Sequence, residues 1–482
     1  MALEFIDKIS KYIPSIKGPN KPLSLKEKMK WTAIILGVFF LLYSVNAYGV
    51  STAPVSSELQ LMSIIFAAKI GSIITVGIGP IVLASIILQL IAGSGIMKID
   101  MNNPLEKARF QSTQKFVAII LAFVEAFAYS ATGFVPLASP SLVGIVALQL
   151  AIGAIAIIFL DEMMSKYGVT SGINLFIASG VSYAIIASIV QILLPEASAT
   201  LLAGGAAAIS NTVLVFAPLF FSVLILIVSI YAYETKVELP LAFEQFRGVG
   251  GRLPIPFLYV SVLPVILASA LELSLTVWFR FLAGVTGSLA NLAKFFANYQ
   301  LVGGSQQLVG GLIYLISPDF PLPYSAPIGI GGYGPYFSYL LTHTSQLVLP
   351  WGGMLLVPEW VHAILYVVVL MLLCVLFGKF WIVMAGQSPK DLAEQLGEQG
   401  WQIPGFRRDP RILESLLNRY IPTLTVLGSL FVGMLAALAT LTGAIGSGMG
   451  ILLTVGIIYM LYQQLEQERL YDTYPILNKI IK

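Results

Sequence analysis

Charged side chains are scarce in this chain: they make up 11% of the 482 residues, while 57% are hydrophobic. Globular proteins carry about 25% charged residues, so the composition excludes a soluble fold and is that of a polytopic membrane protein. The one cysteine, Cys374, lies in an apolar run. No intramolecular disulfide can form, and a thiol there lacks an activating neighbour. The only histidines, His343 and His362, show no Cys/His spacing, which argues against a zinc site. No nucleotide-binding motif is present and no metal or cofactor is expected. An enzyme is therefore not expected, and any energy input must come from a partner. Residues 1–30 hold seven lysines but no cleavable apolar core, so they do not read as a secretory signal.

Long apolar runs are plentiful. They fall at about 31–49, 74–94, 115–135, 142–160, 173–194, 212–233, 256–278, 361–384, 421–441 and 449–464, which predicts ten spans with both termini on one side. With the termini in the cytosol, 24 of the 27 Lys and Arg residues fall on cytosolic segments. Only Lys69, Arg280 and Lys294 do not, so the positive-inside rule fixes both ends inside, in a cell membrane. In the N-terminal segment Ile6, Ile9, Ile13 and Ile16 recur at helical spacing beside Lys8, Lys11 and Lys17. That spacing predicts an amphipathic helix on the membrane surface.

The stretch from Glu58 to Leu90 holds a short apolar segment, Leu61 to Ala68, followed by Lys69, Gly71 and Ser72. It is too short to cross a bilayer, and can enter one only where protein or water surrounds its backbone. The next run contains Pro80-Ile81-Val82-Leu83-Ala84-Ser85, and far downstream Pro264-Val265-Ile266-Leu267-Ala268-Ser269 repeats it. Each copy lies in the second apolar span of its half. A duplicated unit of five spans inserts its two copies with opposite polarity, an inverted repeat whose functional path lies between the halves. The expected architecture is all-α: a first half at 31–200 with a short re-entrant segment at 58–70, and a second half at 201–482.

Two polar cytosolic loops, 234–255 and 385–420, carry Arg247 and Arg252 beside glycines, and Pro404-Gly405-Phe406-Arg407-Arg408. Such loops fit simple solvated, positive-inside connections. They equally fit tips that offer guanidinium groups to phosphate. The external segment 279–360 is rich in Tyr, Phe and Gly and reads as interfacial or re-entrant structure. Glu125 and Glu272 are the acids inside spans. Burial at mid-bilayer costs a carboxylate about 2.5–3.5 kcal/mol, so each is a functional candidate. Glu272, near the outer end, also fits a snorkelling side chain.

Two long stretches resemble the SecY family, the central subunit of the Sec protein translocon. One is Gly77-Ile78-Gly79-Pro80-Ile81-Val82-Leu83-Ala84-Ser85-Ile86-Ile87-Leu88-Gln89-Leu90. The other runs from Asp161-Glu162-Met163-Met164-Ser165-Lys166-Tyr167 to Gly168-Val169-Thr170-Ser171-Gly172-Ile173-Asn174. The wording around Gly79-Pro80 and Tyr462-Gln463-Gln464-Leu465 is more similar to the archaeal and eukaryotic branch. The resemblance implies a clamshell of two five-span halves around an hourglass pore, with a lateral gate between spans 2–3 and 7–8. It implies a pore ring of Ile78, Val82, Ile177, Val181, Ile266 and Leu453, with Leu452 as an alternative to the last. Without it, all six would read as ordinary packing residues. It also implies a plug containing Leu61, Met62, Ile64, Ile65 and Phe66, gate positions Gln89, Glu125 and Ser274, and ribosome-docking residues Arg247, Arg252, Arg407 and Arg408. Leu83 departs from the hydroxyl that archaeal relatives often carry. The implied partners are a small SecE/gamma-type membrane subunit, a beta-type subunit, the ribosome, signal sequences and nascent polypeptides, and the lipid bilayer. The implied function is a channel that moves unfolded polypeptide across the membrane and releases spans sideways into it. The competing reading is a five-plus-five secondary transporter of a small solute. Against it, the facing proline helices offer Ile, Val and Leu at their centres, not solute-binding polar groups. A non-conducting scaffold or insertase is a third reading, which the plug-like segment and the basic 385–420 loop disfavour.

Overall fold

A computed structural model describes residues 14–21, 23–51, 66–93, 104–202, 204, 208–243, 250–260, 263–281, 289–302, 305–321, 323, 332–398, 401–402, 410–446 and 448–473. Ten helices correspond to the ten apolar runs: α1 (Leu25–Ser44), α2 (Gly79–Gly93), α3 (Pro104–Ala131), α4 (Val143–Tyr167), α5 (Gly172–Ser188), α6 (Ala217–Glu234), α7 (Leu263–Phe279), α8 (Glu359–Met384), α9 (Pro410–Leu441) and α10 (Gly448–Thr473). Among the described residues six stretches are long and apolar enough to cross a membrane, and the apolar helices Gly79–Ala92, Leu263–Phe279 and Gly450–Gln463 are shorter.

Local chemistry sets several boundaries. α1 starts at Leu25, ahead of its apolar run, because Ser24 and Glu27 form a reciprocal capping box. The repeat prolines, Pro80 and Pro264, each occupy the second position of their helix. The missing N–H costs nothing there, since the first turn has no intrahelical acceptor. The copies match in detail: Ser85 Oγ donates to the Ile81 carbonyl at 3.0 Å, and Ser269 Oγ to Val265 at 2.6 Å. After α5 the helix passes through a π-turn, Ile189–Leu193, into Leu194–Leu202. Pro195 cannot complete a normal helical bond there, and the wider turn absorbs the misfit.

In the first half α1 packs on α4, α3 on both α2 and α4, and α4 on α5. In the second, α8 packs on α7 and α9, and α10 on α6 and α9. The halves meet along two lines: α5 against α10, and α2 with α3 against α7 with α8. One continuous hydrophobic core runs through both.

The all-α expectation describes the membrane part, and two small sheets complete it. Within 234–255, read from sequence as a polar loop, β1 (Lys236–Phe243) and β2 (Gly250–Pro256) form an antiparallel hairpin. β7 (Trp401–Gln402), from the 385–420 segment, extends it to the order β2-β1-β7. Leu239 and Ile255 bury against Leu413, Leu417 and Ile421 of α9, which fastens this sheet to the second half. The 279–360 segment holds β3 (Asn298–Val302), β4 (Ser305–Gly310), β5 (Thr344–Val348) and β6 (Met354–Pro358), paired in that order. Its short helices, Ala290–Phe296, Leu312–Ile316 and Tyr333–Thr342, cannot cross a bilayer. A buried polar cluster ties the 279–360 layer to the head of α8. Glu359 Oε1 accepts from the hydroxyls of Tyr314 and Tyr339, and His362 Nε2 lies 3.0 Å from the Ser317 carbonyl.

The expected amphipathic N-terminal helix lies largely outside the described residues. Ile16 and Lys17, which are described, are not helical. Glu162 Oε1 accepts from Ile16 N at 3.1 Å, Lys115 Nζ donates to the Pro14 carbonyl at 2.7 Å, and Tyr167 donates to the Lys17 carbonyl at 2.9 Å. Competition from these side chains for the backbone of 14–17 accounts for that stretch being irregular instead of helical.

Candidate functional site

The six aliphatic residues singled out in the sequence come from α2, α5, α7, α10 and the turn that precedes α2. Ile78, Ile177, Val181 and Leu453 are 0% exposed, Ile266 3% and Val82 4%. Leu452, the alternative to Leu453, is also buried, at 1%. All lie in the core that joins the halves. Of the plug residues, Leu61, Met62, Ile64 and Ile65 lie outside the described residues, and Phe66 is buried.

Phe66 and Ala67 are laid directly over this junction. Ile78 N donates to the Phe66 carbonyl at 2.9 Å. The approach requires glycine at position 77, whose φ is +58° and where a Cβ would lie 2.1 Å from the Phe66 oxygen. On the far side a Cβ at Gly180 of α5 would lie 3.5 Å from Ala67 Cα. Ala67 itself has φ +49°, which L side chains rarely adopt. The end of the re-entrant segment is therefore wedged between the start of α2 and the middle of α5.

Gln89, Glu125 and Ser274 are buried, at 5%, 3% and 8% exposure. Glu125 points into the protein from α3: a Cβ at Gly79 would lie 2.8 Å from its Oε2 and 3.8 Å from the Phe66 ring. Among the described residues neither carboxylate oxygen has a hydrogen-bond partner, and the acid faces the start of α2 and the Phe66 ring. Glu272 is 1% exposed and does not snorkel.

Arg252 projects from β2 opposite Pro240, with its side chain 77% exposed and its Nη1 donating to Glu238 Oε2 at 2.6 Å. Arg247, Arg407 and Arg408 lie outside the described residues. Two of the three basic residues that break the charge rule sit over aromatic rings. Lys69 Nζ is 5.6 Å from the Tyr43 ring, and the Arg280 guanidinium 5.6 Å from both Phe134 and Tyr299. The charge exception was visible in the sequence. The aromatic partners, remote along the chain, were not.

Two five-helix halves sharing one aliphatic core, with Phe66 and Ala67 set between the start of α2 and the middle of α5, define a helical membrane protein of channel type. The chain belongs to the SecY family, whose family model matches residues 72–462. It is 36% identical over 471 residues to the protein translocase subunit SecY of Methanocaldococcus jannaschii, an alignment covering 97% of each chain. A solved protein conducting channel superposes with a TM-score of 0.77 at 36% identity, over 97% of this chain and 98% of that one. Sec61 in a canine ribosome-channel complex from the endoplasmic reticulum superposes with a TM-score of 0.74, also at 36% identity over 97% and 98%.

Proposed function

We propose that this chain is the pore-forming subunit of a protein-conducting channel. It passes unfolded polypeptide across the membrane and releases apolar segments sideways between α2–α3 and α7–α8. The observation that supports this reading is the burial of Ile78, Val82, Ile177, Val181, Ile266 and Leu453 in the one hydrophobic core that helices of both halves share. A solute transporter needs polar groups at that level, whereas an apolar constriction excludes ions by dewetting. Aliphatic side chains can also part around any sequence without binding it. Likeness to a channel solved on a ribosome supports the ribosome as the driving partner. A small SecE/gamma-type subunit and a beta-type subunit complete the proposed complex, in the cell membrane with both termini cytosolic.

The test is reconstitution of the purified complex into proteoliposomes with ribosomes carrying a signal-bearing nascent chain. The expected result is protease protection of that chain, absent from empty liposomes. Liposomes that protect no polypeptide yet accumulate one small solute would assign the chain to the transporter class instead.

A further inference from the structure

Arg280 sits at the external end of α7, on the side where the charge rule disfavours it, and is 5% exposed. Arginine is almost never buried without a partner. One of its two aromatic neighbours belongs to its own half: Tyr299 of β3, whose hydroxyl donates to the Thr276 carbonyl of α7 at 2.5 Å. The other, Phe134, belongs to the opposite half. Its ring packs 4.6 Å from Tyr129 of α3, and Val135 N donates to the Tyr129 carbonyl at 3.1 Å. The chain just beyond is bound to the α1–α2 connection by Ser51 N to the Pro136 carbonyl at 2.8 Å and Ala138 N to the Gly49 carbonyl at 2.9 Å. Each end of the Arg280–Phe134 contact is thus fixed to its own half, and the contact spans the α3–α7 seam.

We propose that Arg280 is an external latch on that seam. Tyr299 steadies the guanidinium against α7, and the guanidinium holds the ring of Phe134, so parting the halves must break this contact. At 5.6 Å the pair is close to the roughly 6 Å limit of cation–π attraction, so a small outward movement of α7 releases it. The attraction is short-ranged and reversible, which suits a seam that must open and reclose. Arg280 is a positioning residue: it touches no client and acts by setting how often the seam is open. What the opening is for rests on the channel reading above, but the latch does not.

The experiment measures distances between spin labels on the intact complex in lipid nanodiscs, with no client present. Labels go on Phe127→Cys in α3 and Ile364→Cys in α8, both 55% exposed; Cys374 is 0% exposed and stays unlabelled. Arg280→Gln and Phe134→Leu should each raise the long-distance population at least about threefold. The double variant should rise no further than either single one, because both remove the same contact. Arg280→Lys and Phe134→Tyr keep the cation and the ring and should stay closed. If Arg280→Gln fails to assemble, Phe134→Leu, which leaves every charge in place, carries the test alone. Unchanged distances in Phe134→Leu, or a double variant that opens by the product of the two single effects, would overturn the latch. Neither outcome depends on client crossing, so it leaves the channel reading standing or falling on its own assay.

Discussion

At Gly153 of α4 a methyl group would lie 2.0 Å from the carbonyl oxygen of Ile73 and 2.7 Å from its Cγ2. The chain leading into α2 can press against α4 only because that carbon is missing, and the obstacle is backbone, which cannot swing aside as a side-chain tip would. Gly153→Ala should therefore cost about 1–3 kcal/mol and lower the thermal unfolding midpoint of the purified complex. Gly37→Ala, where a Cβ meets nothing within 4 Å, should leave that midpoint unchanged or slightly raised. Equal midpoints for the two variants would mean that α4 and the α2 approach are not locked together. Nothing in the sequence around Gly153 distinguishes it from Gly37; both are single glycines in apolar runs. Glu162 is a similar case. Its signature stretch is conspicuous in the sequence, but its hydrogen-bond partner Ile16 is 146 residues away, so its task of holding the N-terminal strap is visible only in the fold.

The helices were the most legible elements, because a run of about 20 apolar residues has few alternatives to a span. The repeated proline word marked α2 and α7, and the fold places both prolines at equivalent positions. The strands were hidden for a physical reason. β1 and β2 carry Pro240 and Pro254, which demote a run as a strand candidate because proline cannot donate to the ladder. β1 tolerates Pro240 because only its far end, Ala242 and Phe243, pairs with β7, leaving one side of Pro240 open. For the proposed engagement of a ribosome, the hairpin is the element that carries Arg252. It presents Arg252 on a rigid strand fixed to α9 instead of a floppy tip, so a guanidinium there loses little freedom on meeting phosphate. The Arg407 and Arg408 loop should act on the same partner. Reversing both to Glu should weaken ribosome binding and flatten its salt dependence, since each arginine that no longer meets a phosphate takes about one unit off the slope of log affinity against log salt. Sedimentation of ribosomes with the complex across a salt series checks this. Unchanged binding at every salt would return the two arginines to ordinary solvated-loop residues.

On the scale of the whole molecule the two halves have two tasks that pull apart: they must separate to pass a chain, and at rest they must stop ions. The residues we assign to closure belong to one continuous hydrophobic core shared by both halves. Four spans contribute aliphatic side chains to the junction, Phe66 and Ala67 lie over it from the re-entrant segment, and the α2–α3 and α7–α8 edges touch. Charged rings would select among ions instead of excluding them, whereas an apolar constriction stays dry. Replacing Ile78, Ile177 and Ile266 together by Asn should let water, and then ions, occupy the junction. Deleting 58–65 as well should add to the leak, because it shortens the connection that carries Phe66 and Ala67. Folding should survive, since most of the interhelix packing lies elsewhere in the core, and this can be checked by recovery of the assembled complex. The measurement is resting current through the purified complex in planar bilayers. Raised conductance in the triple variant, and more in the triple variant with the deletion, is the expected result. Wild-type silence from an assembled triple variant would move the seal away from these residues.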